Sequence, residues 1–359
     1  MNREPSATLP RPKPVQPVAD APPRRKFLAV VNPVSGPRTV KAPRKELEER
    51  ARKLDIQMDI VETTPERNGT ETALSAQGPY DCFLVWGGDG TVMEVASAAI
   101  REKVPLAIIP RGTANAVAWH FGIPFDVARA LQVALRGEVV EIDVAHTRHQ
   151  DFLIMAGLGF DARIIAGATR SLKRRFGFLA YLFGAARNFG QQPYTFRVSL
   201  DGREPFRMRG VSAAITNLGT LAGNVRPVRP VSPQDGVLDL IVVSHANFAD
   251  FFRLVFGSLL GKLHEDPRVR HFQAARVRVE TRPLAPLQID GDEIKGMHRD
   301  LEVEILARAL QVVVPPEWMV KIPWLPDVPF SAPGINTPPP SSGSGRKSKD
   351  WGDQAEKAT

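Results

Sequence analysis

The feature that most constrains this chain is an unbroken apolar run that passes straight into a glycine loop. Cys82-Phe83-Leu84-Val85-Trp86 is followed by Gly87-Gly88-Asp89-Gly90-Thr91. A strand without polar alternation is buried on both faces, which calls for a parallel sheet with helices on each side. The glycines let the backbone approach a ligand and turn successive N–H groups toward it. A helix expected over 92–100 adds its positive end, so the loop suits phosphate. No Gly-Lys-Ser/Thr follows, which excludes a P-loop. Asp89 would repel a phosphate unless a cation bridges them, so a metal–nucleotide is the natural ligand.

The surrounding sequence alternates in the same way. Strands are expected at 26–31, 56–61, 80–86 and 105–109, and helices at 44–54, 66–77, 114–121 and 126–136. After about residue 140 short strand candidates dominate: 141–147, 151–156, 195–200, 211–216, 238–243, 275–280, 287–289 and 301–305. Asp201-Gly202, Asp235-Gly236 and Asp290-Gly291 punctuate them as turns. Helical insertions are expected near 170–190 and 247–263. The reading is an α/β domain over 26–140 and a mainly β domain over 141–315. A segment at 316–330 is expected to return to the first domain.

Proline marks the ends. Of 32 prolines, 7 fall in residues 1–26 and 9 in 315–359. Residues 1–26 also carry six basic and two acidic side chains, half of the net +8 of the 359-residue chain. Segments 1–25 and 331–359 are therefore expected to be disordered tails. The single cysteine, Cys82, excludes a disulfide framework and a cysteine zinc site. The expected setting is intracellular, with no signal segment and no membrane-spanning run. The seven histidines form no metal pattern, and His146 and His149 read as surface residues. No nucleic-acid motif accompanies the positive charge, so nucleic acid is not an expected partner.

Two further loops end apolar strands. Asn32-Pro33-Val34-Ser35-Gly36 follows the first, where α/β sheets bind ligands, although a plain turn has the same composition. Arg111-Gly112-Thr113-Ala114-Asn115 offers backbone access, a hydroxyl and an amide at a helix start, with an ordinary cap at Thr113 as the other reading. Gly157-Leu158-Gly159-Phe160-Asp161-Ala162 matches a dinucleotide fingerprint, but the acidic residue expected about 20 positions later is missing, and that reading is rejected.

Taken together, Asn32–Gly36, Gly87–Thr91 with Glu94, and Pro110–Asn115 resemble the three loops of the diacylglycerol kinase catalytic-domain family, which includes sphingosine, ceramide and bacterial lipid kinases. Gly159-Phe160-Asp161, Pro230 to Asp239 and Asp290-Gly291-Asp292 resemble its later motifs, in the same order. The resemblance spans about 26–315. It implies an α/β-plus-β fold, a phosphofructokinase/NAD-kinase-like nucleotide domain followed by a β-sandwich domain, with the active site in the cleft between them. It implies ATP held by Asn32, Pro33, Ser35, Gly36, Thr64 (or Thr63), Gly87, Gly88, Asp89, Gly90, Thr91, Glu94, Gly112, Thr113 and Asn115. Asp89 would join a magnesium–phosphate network, and Asp290 would be the general base on the acceptor hydroxyl. Asp235, with the backbone carbonyls of Ser232 and Val237, would form a second-domain Mg2+ site.

The chain departs from the family pattern at Met93, where Asn is common before Glu94, at Ala116 and Trp119, and at Asp292 in place of Glu. The implied activity is transfer of the γ-phosphate of ATP to diacylglycerol or a related lipid alcohol. NAD kinase and a non-catalytic nucleotide- or lipid-binding protein are the alternatives. The implied partner is a lipid alcohol at a membrane surface, with a homodimer as the candidate assembly and a cytoplasmic, peripheral location at the inner face. Lys173-Arg174-Arg175-Phe176, followed by further aromatics, is the candidate membrane contact, and 248–263 is a second.

Overall fold

The structure is a computed structural model and describes residues 26–36, 42–159, 193–220, 231–244 and 266–320. The α/β half runs β1 (Lys26–Val31), α1 (Pro43–Leu54), β2 (Gln57–Glu62), α2 (Gly69–Ser75), β3 (Cys82–Gly87), α3 (Asp89–Glu102), β4 (Leu106–Pro110), α4 (Ala116–His120) and α5 (Val127–Arg136). The β half runs β5 (Glu138–His146), β6 (Asp151–Phe152), β7 (Met155–Gly159), β8 (Tyr194–Leu200), β9 (Phe206–Gly210), β10 (Ser212–Thr216), β11 (Leu238–Val243), β12 (Val269–Ala274), β13 (Arg276–Ile289) and β14 (Asp292–Val314). A short helix, α6 (Pro316–Val320), follows.

Strands β2, β1, β3 and β4 pair in parallel in that order. Their side chains alternate between two buried layers. Leu28, Val30, Phe83, Val85, Leu106 and Ile108 pack with α3, whereas Phe27, Leu84, Trp86 and Ile109 pack with α1 and α5. The absence of polar positions in β3, β4 and β1 from Phe27 on is thus the direct consequence of burial on both faces, whereas β2 at the edge keeps Gln57, Asp59 and Glu62.

The second core lies among the antiparallel strands, with Phe152, Phe196, Val198, Leu240, Val279 and Leu287 at its centre. This is the β-sandwich-like half. One strand joins the two halves. The first part of β14 pairs with β13, and its last part pairs with β5 and, at Val312, with Leu106 of β4. The register of β14 shifts between Leu306 and Leu310, where Arg308 adopts φ +53°. A continuous covalent strand therefore sets the orientation of the cleft.

Three expectations change. The separate strands at 275–280 and 287–289 are one bent β13, and 301–305 is a fraction of β14. The stretch 151–156 divides at Leu153-Ile154 into β6 and the start of β7. Helix α3 begins at Asp89, inside the glycine loop, with Gly88 as its N-cap. Strands β9 and β12 had no expectation; both are short, and only β12, with Arg270, His271 and Gln273 around Phe272, lacks a clean alternation. The expected insertions near 170–190 and 247–263, the tails 1–25 and 331–359, and residues 321–330 lie outside the described residues.

Candidate active site

The three loops form one surface at the C-terminal ends of β1, β3 and β4. Asn32 Nδ2 donates to Thr91 Oγ1 at 3.0 Å, and Asn32 Oδ1 accepts from the Val34 N–H at 3.2 Å. The Arg111 N–H donates to the Gly87 carbonyl at 2.7 Å. Gly88 and Gly112 pack backbone to backbone: a Cβ on Gly88 would lie 2.8 Å from the Gly112 Cα, and one on Gly112 would lie 2.5 Å from the Gly88 Cα. Asn115 folds back on the same glycine, accepting from its N–H at 2.6 Å and donating to its carbonyl at 2.7 Å. Asn115, not Thr113, is the N-cap of α4 and holds φ +47°.

The two helix N-termini at these loops are used differently. Asp89 Oδ1 accepts from the Val117 N–H at 3.1 Å, and its carboxylate also takes the Asn115 and Ala116 amides. Asp89 thereby fills the positive end of α4 and locks the second loop to the third. Burial pushes its pKa up, and the amides oppose that shift. The N-terminus of α3 has no side-chain cap, so its amides are the available anion seat. Gly90 and Thr113 are exposed beside it, and Pro33 and Gly36 are exposed on the first loop. The Ser35 N–H donates to the Asn32 carbonyl at 3.1 Å. Thr63 N–H bonds to Val31, next to Asn32, while Thr64 closes a turn with Arg67.

Glu94 stands apart from this group. Its Oε2 accepts from the Gly69 N–H at 2.8 Å, and its carbonyl accepts from the Thr70 hydroxyl at 2.6 Å. The carboxylate serves the start of α2. Met93 packs in the apolar core beside α3.

Asp290 occupies the hairpin between β13 and β14. Asp290 and Gly291 both hold positive φ, +47° and +88°, the conformation of a type I′ two-residue turn. Both readings of Asp-Gly, turn and carboxylate, therefore apply at once. Oδ2 accepts from the Leu153 N–H at 3.1 Å, and Oδ1 accepts from Ile154 and Met155 at 2.9 Å each. The Asp290 N–H returns a bond to the Met155 carbonyl at 2.8 Å. The residue as a whole is half-buried, but the carboxylate itself is enclosed. Burial pushes its pKa up to about 7 against the pull of those amides, and the negative charge of Asp89 adds to the rise. A carboxylate titrating near neutrality is suited to general-base work.

The sequence reading missed the residues that hold the 153–155 segment. Asn217 Nδ2 donates to the carbonyls of Asp143 and Leu153, at 2.9 and 3.3 Å, and Thr216 Oγ1 donates to Ile154 at 2.9 Å. Their signal was present as a lone polar pair closing the apolar strand 212–216. Asp143 is the one buried carboxylate of β5, whose Glu138 and Glu141 are half-exposed. It accepts from the Gly236 and Arg308 N–H groups at 2.8 Å each. Burial raises its pKa.

Asp235 lies in the turn that Asp143 anchors, and its Oδ1 accepts from the Val237 N–H at 3.2 Å. Burial, then the charge of Asp239, then that of Asp143 push its pKa up to about 8. Asp239 is fully buried against His271 and Gln273, and its Oδ2 accepts no hydrogen bond. Among the described residues no three His, Cys, Asp or Glu side chains converge as a metal site. A cation here would have Asp235, the Ser232 and Val237 carbonyls and water, a hard-oxygen set of the magnesium type. The excess of negative charge around Asp235 fits such a cation.

Lys173, Arg174, Arg175 and Phe176, with Phe160, Asp161 and Pro230, lie outside the described residues. A cavity of about 960 Å³ lined by Trp119, Val133, Arg136 and Trp318 lies beside α4 and α5, away from Asp290.

Residues 26–147 match the diacylglycerol kinase catalytic domain, and residues 154–314 match the YegS C-terminal NAD kinase beta sandwich-like domain. A diacylglycerol kinase of Bacillus subtilis (strain 168) is 28% identical over 293 residues, 80% of this chain and 96% of the relative. An Escherichia fergusonii protein named "Probable lipid kinase YegS" is 31% identical over 242 residues, 65% of this chain and 78% of the relative. The crystal structure of a diacylglycerol kinase from Bacillus anthracis str. Sterne shares the fold with a TM-score of 0.66 at 23% identity, over 82% of this chain and 98% of that one. The loops, the cleft and these matches agree: the chain belongs to the diacylglycerol kinase-like family of lipid kinases.

Proposed function

We propose that this kinase transfers the γ-phosphate of ATP, with magnesium, to the hydroxyl of diacylglycerol or a related lipid alcohol. The single observation that carries the reading is Asp290, an enclosed carboxylate that three amides orient at the cleft and whose pKa lies near 7.

Asp290 accepts the proton of the lipid hydroxyl as that oxygen bonds to the γ-phosphorus. The bond from the γ-phosphorus to the β–γ bridging oxygen breaks, and ADP leaves with the electron pair. The α3 amides and the first and third loops hold the polyphosphate in line, since positioning and charge neutralisation supply most of the catalysis in phosphoryl transfer. Asp89 keeps the loops registered and lies close enough to hold the proton affinity of Asp290 up. Magnesium, when bound, neutralises phosphate charge. Asp235 with the carbonyls of Ser232 and Val237 would hold a further ion that braces the second half.

A lipid acceptor implies work at a membrane surface from the cytoplasmic side. No helix among the described residues is long and apolar enough to cross a membrane. The Lys173-Arg174-Arg175-Phe176 segment is the contact that the sequence favours.

The test is transfer of labelled γ-phosphate from Mg·ATP into lipid alcohols in mixed micelles. Product with one lipid, lost in Asp290→Asn, is the expected result. Product with NAD instead, or ATP binding without any product, would replace this reading.

A further inference from the structure

Arg111 belongs to the third loop, yet none of the roles above uses its side chain. It leaves β4 on the face that carries Ile109 and Trp86. Its guanidinium carbon lies 4.7 Å from the centroid of the Trp86 ring. The first loop closes over it: a Cβ on Gly36 would lie 3.6 Å from the Arg111 Cβ and 3.7 Å from its Cδ. The side chain is thus held between the first loop and the indole that ends β3, at the meeting point of all three loops.

Its hydrogen bonding is incomplete. Nε is buried and meets no acceptor, and among the described residues no carboxylate pairs with the guanidinium. A permanently charged group with an enclosed, unused donor is costly to maintain, and an aromatic face offsets only part of that cost. The planar fork of a guanidinium matches the oxygens of a phosphate. The neighbouring α3 N-terminus attracts the same class of anion. The Asp89 carboxylate is taken up by the α4 amides and makes no ion pair with Arg111 among the described residues.

We propose that Arg111 binds the polyphosphate of the nucleotide substrate, with the Trp86 ring holding the guanidinium ready for it. The inference rests on the nucleotide reading of the loops and names one further residue that carries it. A purely structural pin of Arg111 on Trp86 makes a different forecast, lower stability with unchanged nucleotide affinity.

The experiment measures binding of ATP, tripolyphosphate, adenosine and a short-chain lipid phosphate to the full chain by calorimetry, for wild type, Arg111→Met and Arg111→Lys. Arg111→Met keeps the packed stem and removes the charge. Its expected effect is about ten- to a hundredfold weaker binding of ATP and tripolyphosphate, the range for lost charge-assisted hydrogen bonds. Adenosine and the lipid phosphate should bind within about twofold of wild type, and Arg111→Lys should fall between. In turnover, KM for Mg·ATP should rise while KM for the lipid stays unchanged. Guanidinium ion added to Arg111→Ala should restore part of the ATP affinity.

If wild type and Arg111→Met bind ATP and tripolyphosphate equally, the role of Arg111 is overturned while the nucleotide reading stands. If wild type binds neither ATP nor adenosine, the nucleotide reading itself falls. Weakened lipid phosphate with unchanged ATP would also overturn the assignment. Should Arg111→Met fail to fold, the ATP affinity of Arg111→Lys decides, an unchanged value counting against the proposal.

Discussion

Asp89 and Asp290, one from each half of the protein, lie close enough that the charge of the first raises the proton affinity of the second. The cleft thus couples the residue that registers the phosphate loops to the residue that takes the proton. With its pKa near 7, Asp290 is protonated and idle as a base in acid and becomes competent as the pH rises. The rate is expected to climb through about pH 7 and level above it. Asp290→Asn should lose about 10²–10⁴-fold in kcat, keep its ATP affinity, and lack that ascending limb. A variant with the same limb would show that another group sets it.

The same shift has a stability consequence. Asp290 titrates near 7 in the folded chain and near 3.8 when unperturbed, so folding takes up a proton between those values. Its contribution to stability is complete below the lower value, falls as pH rises, and is gone above the upper one. The pH dependence of the melting temperature between about pH 4 and 7 should be shallower in Asp290→Asn than in wild type.

Gly88 and Gly112 leave no room for a methyl group, because the atom each would strike is backbone. Gly112→Ala should push the second and third loops apart. A loss of about 1–3 kcal/mol in urea unfolding is expected, with ATP turnover reduced further than stability alone explains. Unchanged turnover would show that the approach of the two loops is not needed for catalysis.

Asp143 satisfies two N–H groups on separate segments, Gly236 and Arg308. Asp143→Ala removes the acceptor of both and is expected to cost about 1–3 kcal/mol, because Gly236 is partly buried and the Arg308 amide, on an exposed residue, can turn to water. Asp143→Asn keeps one acceptor and should cost less. Chemical denaturation of the three proteins checks the order.

Glu94 offers a contrast within the motif. Its carboxylate bonds to the Gly69 N–H at the start of α2. Glu94→Ala should lower stability by about 0.5–2 kcal/mol, as the loss of a helix cap does, while Glu94→Gln retains an acceptor. Neither should change KM for Mg·ATP by more than about threefold, which steady-state kinetics would measure. A large rise in KM with either variant would return Glu94 to the nucleotide site.

The sequence by itself determined the layered α/β half. Strands such as 82–86 carry no polar residue to tolerate an exposed face, and the glycine loops at their ends follow from local backbone demands. The resemblance of the ordered motifs to the kinase family singled out Asp290 and Asp89; residue type alone read Asp290-Gly291 as a turn. Only the tertiary structure decided which atoms those side chains meet. Asp89 turns to α4, Glu94 turns to α2, and Asp290 is held by amides some 135 positions away in the chain. Burial and hydrogen-bond partners set proton affinity, and both depend on contacts between distant segments. The same holds for Arg111, a plain loop arginine in the sequence. It becomes a half-buried cation whose enclosed Nε meets no acceptor among the described residues only once Trp86 and Gly36 close around it.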